Sequence, residues 1–226
     1  NEDGRLRQSR RRPSFANQCP TWIESCARSR AGPIRGWRVR RPRRGPWRRL
    51  DAPGIGLLRL RFEGGAPHAG STLIDAGAEP FAAEYEWRLD DSWRTRSLVV
   101  RVYQHDMTTL SLVRTGDTSW SVGGEARRDL DGCEEIDLSA TPFCNTLALR
   151  RLGPAPGGAG ELTALYVRLP ELTCAPSRQR YERVSDRIFR YVDLGLSNGF
   201  EAELLVDDLG LIKRYEGLFE RIDVPG

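Results

Sequence analysis

The sequence predicts an all-β fold with one short helix, and three observations support this prediction. Apolar and polar residues alternate with period two in most segments after Trp47. Turn-forming Gly, Asn and Asp residues separate these segments at spacings of roughly ten residues. Only the segment around Pro142 carries the start and stop signals of a helix. Short alternating strands joined by close turns are typical of an antiparallel sheet, which needs no crossover helices.

The first 46 residues differ in composition from the remainder. They contain 13 arginines and three acidic residues without apolar periodicity, which predicts a disordered extension or, since the chain does not begin with Met, a spurious one. Trp37 and Trp47 lie among the arginines, so an arm that binds nucleic acid is the alternative. Residues 47–226 form the predicted domain, and with 22 basic and 28 acidic side chains this domain is not expected to bind nucleic acid.

The strands follow from the alternation, in chain order. The first is predicted at Leu58–Phe62, and residues 81–103 form the clearest pair of strands, a hairpin. The apolar faces of this hairpin are Phe81, Ala83, Tyr85, Trp87 and Leu89 before the turn at Asp91 and Ser92, and Leu98, Val100 and Val102 after it. Shorter strands are predicted at 110–112, 120–122 and 200–206.

Two segments between these strands have distinct patterns. Thr141 is placed to cap a helix that has Pro142 at its first position and ends before Gly153. From Glu161 to Leu169 both faces of the predicted strand are apolar, so neither face suits water. This strand is expected at the centre of the sheet, with protein on one side and protein or a cavity on the other.

Composition excludes several classes of protein. No run approaches the roughly 18 apolar residues of a membrane span, and no apolar segment resembles a secretory signal, so the expected compartment is the cytoplasm. Five cysteines without a CxxC pair and only two histidines, His68 and His105, predict neither a disulfide scaffold nor a metal site. No cofactor is expected, and the oligomeric state is left open.

Two segments of the sequence have catalytic precedent in other proteins. Gly195–Gly199 matches the G-x-S-x-G pattern of serine hydrolases, but a strand and not a helix follows it, and no histidine lies after Ser197. The segment is therefore predicted to be a hairpin turn, and no catalytic residue is assigned. An acidic run leaves open cation binding or a hydrolase acting on a sugar or lipid. It consists of Asp129, Asp131, Glu134, Glu135 and Asp137.

Several segments together resemble a bacterial family described as putative glycolipid-binding proteins. They are W-R-R-L-D-A-P-G from Trp47, D-G-C from Asp131, D-L-S-A-T-P-F-C-N-T-L from Asp137, Y-V-R-L-P from Tyr166, R-Y from Arg180 and G-L-F-E-R from Gly217. The run from Asp137 is the most specific. The resemblance implies a spiral β-roll similar to the periplasmic lipoprotein carriers, with a curved antiparallel sheet around an apolar cavity, and it supplies no catalytic residues.

The sequence thus predicts non-enzymatic binding of a lipid-like or glycolipid-like small molecule inside a β-roll. The alternatives are the hydrolase named above and a scaffold without a ligand. Aromatic side chains on strand faces are expected to line the apolar cavity, and arginines, whose guanidinium groups bind phosphate or carboxylate, are expected to bind the head group. The predicted ligand-binding residues are Tyr85, Trp87, Trp93, Phe143, Arg150, Tyr166, Arg168 and Arg180.

Overall fold

The computed structural model describes residues 43–222, which form an all-β fold as predicted. The described residues contain 15 strands in one curved sheet that does not close on itself. The strands are β1 Arg43–Arg49, β2 Gly54–Glu63, β3 Ala66–Asp75, β4 Phe81–Leu89, β5 Thr95–Tyr103, β6 Met107–Arg114, β7 Trp120–Val122, β8 Glu125–Ala126, β9 Glu135–Leu138, β10 Ala159–Arg168, β11 Thr173–Arg183, β12 Ile188–Asp193, β13 Glu201–Val206, β14 Ile212–Tyr215 and β15 Phe219–Arg221. A 3-10 turn spans Arg128–Leu130, and the helix α1 spans Phe143–Leu152.

The sheet consists of two runs of sequential strands that meet at β1. Along the sheet the order is β8-β7-β6-β5-β4-β3-β2-β1-β15-β14-β13-β12-β11-β10-β9. Strands that follow one another in sequence are therefore neighbours, except that β8 and β9 lie at the two opposite edges of the sheet. The runs are joined by the pairing of β1 with β15, in which Trp47 lies opposite Arg221. Close turns explain the sequential order, because each returns the chain directly beside the strand it has left. The predicted hairpin at 81–103 is confirmed as β4 and β5.

The helix ends before Gly153 as predicted, and it begins at Phe143, one residue later than predicted. The backbone N–H of Phe143 donates a hydrogen bond of 3.3 Å to the Thr141 hydroxyl, and Pro142 occupies the capping position. At the other end Gly153 adopts φ 50°, a left-handed conformation that costs glycine little, and its N–H donates to the Leu149 carbonyl. Residues 143–149 are all buried, so α1 packs into the fold and not on its surface. We call the face of the sheet against which α1 packs the inner face.

The helix accounts for one departure from the predicted antiparallel sheet. Strands β9 and β10 pair in parallel. The helix α1 lies between them in sequence and carries the chain back to the end at which β9 begins, so that β10 runs in the same direction. Strand β10 is second from the sheet edge, so its predicted central position is wrong. Its burial on both faces is confirmed at Ala164 and Leu165. On the outer face, Leu165 is enclosed together with buried Ile136 and Leu138 of β9.

Strand β1 begins at Arg43, inside the range that the sequence assigned to the N-terminal extension. Its anchor is Trp47, which is buried and donates a hydrogen bond of 2.8 Å from Nε1 to the Ile212 carbonyl. The domain therefore includes residues 43–46. The rest of the predicted extension, residues 1–42, lies outside the described residues. Within residues 43–222, no helix is long and apolar enough to cross a membrane.

Candidate functional site

Three of the predicted cavity residues form the packed core beside α1. Trp87 contacts Tyr85 edge to face with ring centroids 5.9 Å apart, and Phe143 with centroids 5.7 Å apart. All three side chains are fully enclosed. The Trp87 Nε1 donates to the Thr95 hydroxyl at 2.7 Å, so its polar atom is also satisfied within the protein. A ligand could reach these rings only if the core opened.

Trp93 and Arg150 are brought together at the C-terminal half of α1. The Arg150 guanidinium stacks on the Trp93 ring at 3.8 Å from its centroid, and its Nη2 donates to the Leu209 carbonyl at 2.7 Å. Burial lowers the pKa of Arg150 to about 10. The guanidinium therefore holds α1 against two loops, and a ligand would have to displace these contacts to bind it.

Arg180 does not share a site with Arg150. Strand alternation places Tyr181 on the inner face, where its hydroxyl accepts a hydrogen bond from Asn145 of α1, and Arg180 on the outer face. There Arg180 is paired with Glu161 and Glu182. Arg168, the last residue of β10, is exposed. One head group therefore cannot contact both Arg150 and Arg180, which corrects the predicted arginine site.

The acidic run does not form one site, because its members face different surroundings. Glu134 is 3.5 Å from Arg151, while Glu135 on the opposite face of β9 is buried and 3.6 Å from Arg114. Asp129 is an exposed partner of Arg127. Only Asp137 reaches the polar interior described below. Within residues 43–222, no group of three His, Cys, Asp or Glu residues is arranged to hold a metal ion.

A set of polar residues lies on the inner face between α1 and strands β9 to β14, and we call it the inner polar cluster. Its members are Asp137, Cys144, Asn145, Gln179, Tyr181, Tyr191, Asp193 and Tyr215. Residues at alternate positions of each strand point to this face, while α1 contributes Cys144 and Asn145.

Asp137 ends a chain of hydrogen bonds in this cluster. Asn145 donates to the Tyr181 hydroxyl at 3.1 Å, and Tyr181 donates to the Gln179 carbonyl oxygen at 3.1 Å. The amide of Gln179 in turn donates to Asp137 Oδ2 at 2.5 Å, and the Cys144 thiol donates to Oδ1 at 3.0 Å. Every donor in this chain is neutral, so the Asp137 carboxylate is held without a cation.

Asp193 supplies a second carboxylate on the same face. It lies opposite Gln179 in the β11–β12 register, and it accepts hydrogen bonds from the Tyr191 hydroxyl at 3.3 Å and the Gly195 N–H at 2.7 Å. Burial raises the pKa of Asp137, and the charge of Asp193 raises it further. In the part of the chain that the structure describes, neither carboxylate has an ion pair or hydrogen bond with a basic side chain.

A row of aromatic rings connects this cluster with solvent. Phe200 is 37% exposed, and its ring lies 6.1 Å from Tyr191 and 6.4 Å from Tyr215. Tyr215 is only 7% exposed. Its hydroxyl has no hydrogen-bond partner among residues 43–222, and its pKa is raised by burial and by the charges of Asp137 and other acidic groups, which places the hydroxyl near them. The hydroxyl of Tyr215 thus remains available for a hydrogen bond close to these acidic groups.

Tyr166 is the one predicted ligand-binding residue that borders the inner polar cluster. Its side chain is partly exposed, and the pKa of its hydroxyl is raised by burial and by the charge of Asp137. The sequence reasoning missed Gln179, Asp193 and Tyr215. Their signal is a polar side chain at an inward position of a strand, such as Gln179 two residues before Tyr181.

The cavities formed by residues 43–222 include two beside the sheet. One, of about 20 Å³, lies on the inner side and has room for about one water molecule. Its lining includes Trp47, Gly56, Leu73, Ala140, Thr141, Pro142 and Phe219. The other is an open groove of about 190 Å³ lined by Arg59, Arg61, His68, Glu84, Glu86 and Arg101, among others. The apolar cavity as it stands does not hold a long acyl chain.

Comparison with known proteins identifies the family. The profile of a family described as "Putative glycolipid-binding" matches residues 46–221. A crystal structure of a DUF1089 family protein from Pseudomonas aeruginosa is 36% identical, covers 74% of this chain and 92% of its own, and superimposes with a TM-score of 0.67. No curated protein matches the chain. Since the profile spans nearly the whole described domain, the chain belongs to this "Putative glycolipid-binding" family.

Proposed function

We propose that this protein binds a lipid-like or glycolipid-like molecule without catalysis, with the polar head at the inner polar cluster. The observation that carries the proposal is the position of Tyr215, a largely buried residue near Asp137 and Asp193 whose hydroxyl forms no hydrogen bond with a described residue. A polar group of a ligand that reaches Tyr215 can form this hydrogen bond.

The apolar part of such a ligand has a path from the same cluster. The Phe219 ring is 6.4 Å from Tyr215, and Phe219 also lines the cavity of about 20 Å³. The remaining lining is largely apolar and includes Leu73 and Pro142. Because the cavity is small, we expect the segment 140–142 and the facing strands to separate when an acyl chain enters.

We also propose that the protein binds this molecule without acting on it as an enzyme. Ser197 lies in an exposed turn between β12 and β13, where its carbonyl accepts a hydrogen bond from the Phe200 N–H. In the described part of the chain no histidine follows it in sequence, so it has no activating base from there. Asp137 accepts a hydrogen bond from Gln179, and Asp193 accepts one from the Gly195 N–H. These contacts are consistent with roles in ligand binding and in stabilising the fold.

Native mass spectrometry of the purified chain tests the proposal by detecting any lipid that co-purifies. The wild type is compared with Tyr215→Phe, which removes only the hydroxyl, and with Tyr103→Phe, which removes an exposed one. We expect a bound lipid on the wild type and on Tyr103→Phe, and less of it on Tyr215→Phe. A wild-type protein that carries no lipid and binds no added amphiphile would exclude the proposed function.

A further inference from the structure

The open groove of about 190 Å³ lies on the outer face of the sheet, away from the inner polar cluster. On β4, its lining residues Glu84 and Glu86 alternate with the core residues Tyr85 and Trp87. We infer that this groove binds a short zwitterion, whose carboxylate is held by arginines of β2 and whose ammonium group is held by Glu86. The inference does not depend on the proposed function, because the two sites lie on opposite faces.

Gly70 lies in the middle of β3 and lines the groove. In the register of the sheet it is opposite Arg59 of β2 on one side and Glu86 of β4 on the other. Neighbouring strands are about 4.8 Å apart, so the backbones of these two charged residues are roughly 10 Å apart. Because position 70 has no side chain, the space between them stays open.

Packing within the protein does not require a glycine at position 70. The φ of Gly70 lies outside the left-handed region, and an added Cβ would lie 3.7 Å from the Tyr85 carbonyl oxygen and 3.9 Å from Arg59 Nη2. Both are ordinary contact distances. Glycine inside a strand weakens the strand, and it often marks a place where a ligand approaches the backbone closely. Gly70 therefore points to a ligand above β3.

The charged side chains of the groove are not engaged with one another. Among residues 43–222, Arg61, Arg101 and Glu86 form no ion pair and no side-chain hydrogen bond. Arg59 makes only two long hydrogen bonds, of 3.4 and 3.5 Å, to the Thr72 hydroxyl. This contrasts with the other half of the sheet, where exposed arginines pair with glutamates. Charges of both signs thus remain available to a ligand.

A zwitterion is the class of ligand that satisfies both signs. The groove is lined by three arginines and by Glu84 and Glu86. A simple anion would bind the guanidinium groups but leave two carboxylates without a partner beside it, and a simple cation would meet the arginines. A phosphate group carries about −1.5 to −2 charges at pH 7 and would be repelled more strongly by the glutamates, so a carboxylate fits better.

The position of the charges also limits the length of the ligand. Arg59 Nη2 lies close to the space above Gly70, and Glu86 is on the adjacent strand directly opposite Gly70. The anionic and ammonium groups therefore need to be separated by only two or three bonds. Since roughly 10–15 Å³ of free space holds one water molecule, the groove has ample room for a molecule of this size.

The test compares β-alanine, which carries both charges, with propionate and propylamine, which each carry one. Each compound is titrated at pH 7 and low ionic strength into the full chain labelled with nitrogen-15, because salt screens exposed charges. Affinities are read from the amide signals of groove residues such as Gly70 and Glu86. We expect β-alanine to bind at least fivefold more tightly than either compound with a single charge.

Three variants tie this preference to the groove. Gly70→Val fills the space above β3 and should weaken β-alanine binding at least tenfold, while the thermal midpoint should not fall, because valine favours strands. Glu86→Gln keeps the shape of the side chain and should remove the advantage of β-alanine over propionate. The matched control Glu203→Gln, at an exposed position of β13, should leave all three affinities unchanged.

Several results would overturn the inference. Propionate that binds the groove as tightly as β-alanine would show a site for anions alone, and propylamine that does so would show a site for cations alone. Amide signals of the groove that do not respond to β-alanine would show that no such site exists. A folded Gly70→Val protein that binds β-alanine like the wild type would place the binding elsewhere. None of these results bears on lipid binding at the inner polar cluster.

Discussion

The buried ion pair of Arg114 and Glu135 is predicted to hold strands β5 and β6 against β9. Arg114 donates to the carbonyls of Thr95, Asp117 and Glu134 at 2.7–2.8 Å and stacks on a tryptophan ring, while Glu135 accepts from the Thr95 N–H at 3.2 Å. The two side chains are 10% and 2% exposed. Replacing Arg114 with Met removes these contacts and leaves a carboxylate buried without a cation.

Removing one partner of a buried ion pair lowers the free energy of unfolding by about 3–5 kcal/mol. This is a large part of the roughly 5–15 kcal/mol that is typical of the free energy of unfolding of a domain. At about 2–4 °C per kcal/mol for a domain of this size, Arg114→Met should lower the thermal midpoint by about 12 °C. Burial raises the pKa of Glu135, and loss of Arg114 raises it further. The stability deficit of the variant should therefore grow as the pH rises, because the carboxyl must then ionise without a partner.

Urea unfolding followed by tryptophan fluorescence at pH 5 and pH 8 measures both effects. The matched control is Arg48→Met, which breaks the exposed pair of Arg48 with Glu220 and should change the free energy of unfolding by less than about 1 kcal/mol. A loss at Arg114→Met no larger than the control, or a deficit that shrinks with rising pH, would refute the reasoning.

Three further predictions concern other parts of the chain. The pKa of Asp137 is raised in the folded protein, so the protonated carboxyl stabilises the fold at low pH and this stabilisation is lost as the pH rises above the ordinary value near 4. Asp137→Asn should therefore gain stability relative to the wild type as the pH rises in urea unfolding; a constant difference would contradict this. Deleting residues 1–42 should move the thermal midpoint by less than about 2 °C, whereas deleting residues 1–49, with β1 and its Trp47 anchor, should abolish cooperative unfolding; calorimetry distinguishes these results. Ser197→Ala should leave ligand binding and any activity unchanged, and covalent labelling of Ser197 by a fluorophosphonate would contradict that.

The parts of the fold that the sequence predicts are those determined locally. Alternation alone identifies the β4–β5 hairpin, and the Thr141 and Gly153 signals identify α1, because each depends on residues close in sequence. Strand β1 was missed since its inward apolar residue is Trp47, surrounded by Arg, Pro and Gly, and its pairing with β15 is a long-range contact. The parallel pairing of β9 with β10 likewise depends on where α1 packs.

The candidate site was less predictable than the fold. Strand periodicity shows that Gln179 points inward, but only the register between strands places it opposite Asp193. Guanidinium chemistry predicts that the arginines can bind an anionic head group, but it does not reveal that Arg180 faces away from α1. Tyr166 was expected in an apolar lining, whereas the structure places it near Asp137 of the inner polar cluster, and its contact with a ligand stays a prediction.

The pairing of β1 with β15 has a consequence for the order in which the protein can be completed during synthesis. Each of the two runs of strands can form from neighbouring hairpins as the chain emerges, but Trp47 finds its partner Arg221 only when the last strand has been made. Until then β1 presents an unpaired edge, which is a template for pairing with another chain. A chain whose synthesis stops before residue 219 lacks β15, so its β1 edge stays unpaired and the chain is prone to aggregate. We expect chaperones to be needed most while β1 is made and β15 is not.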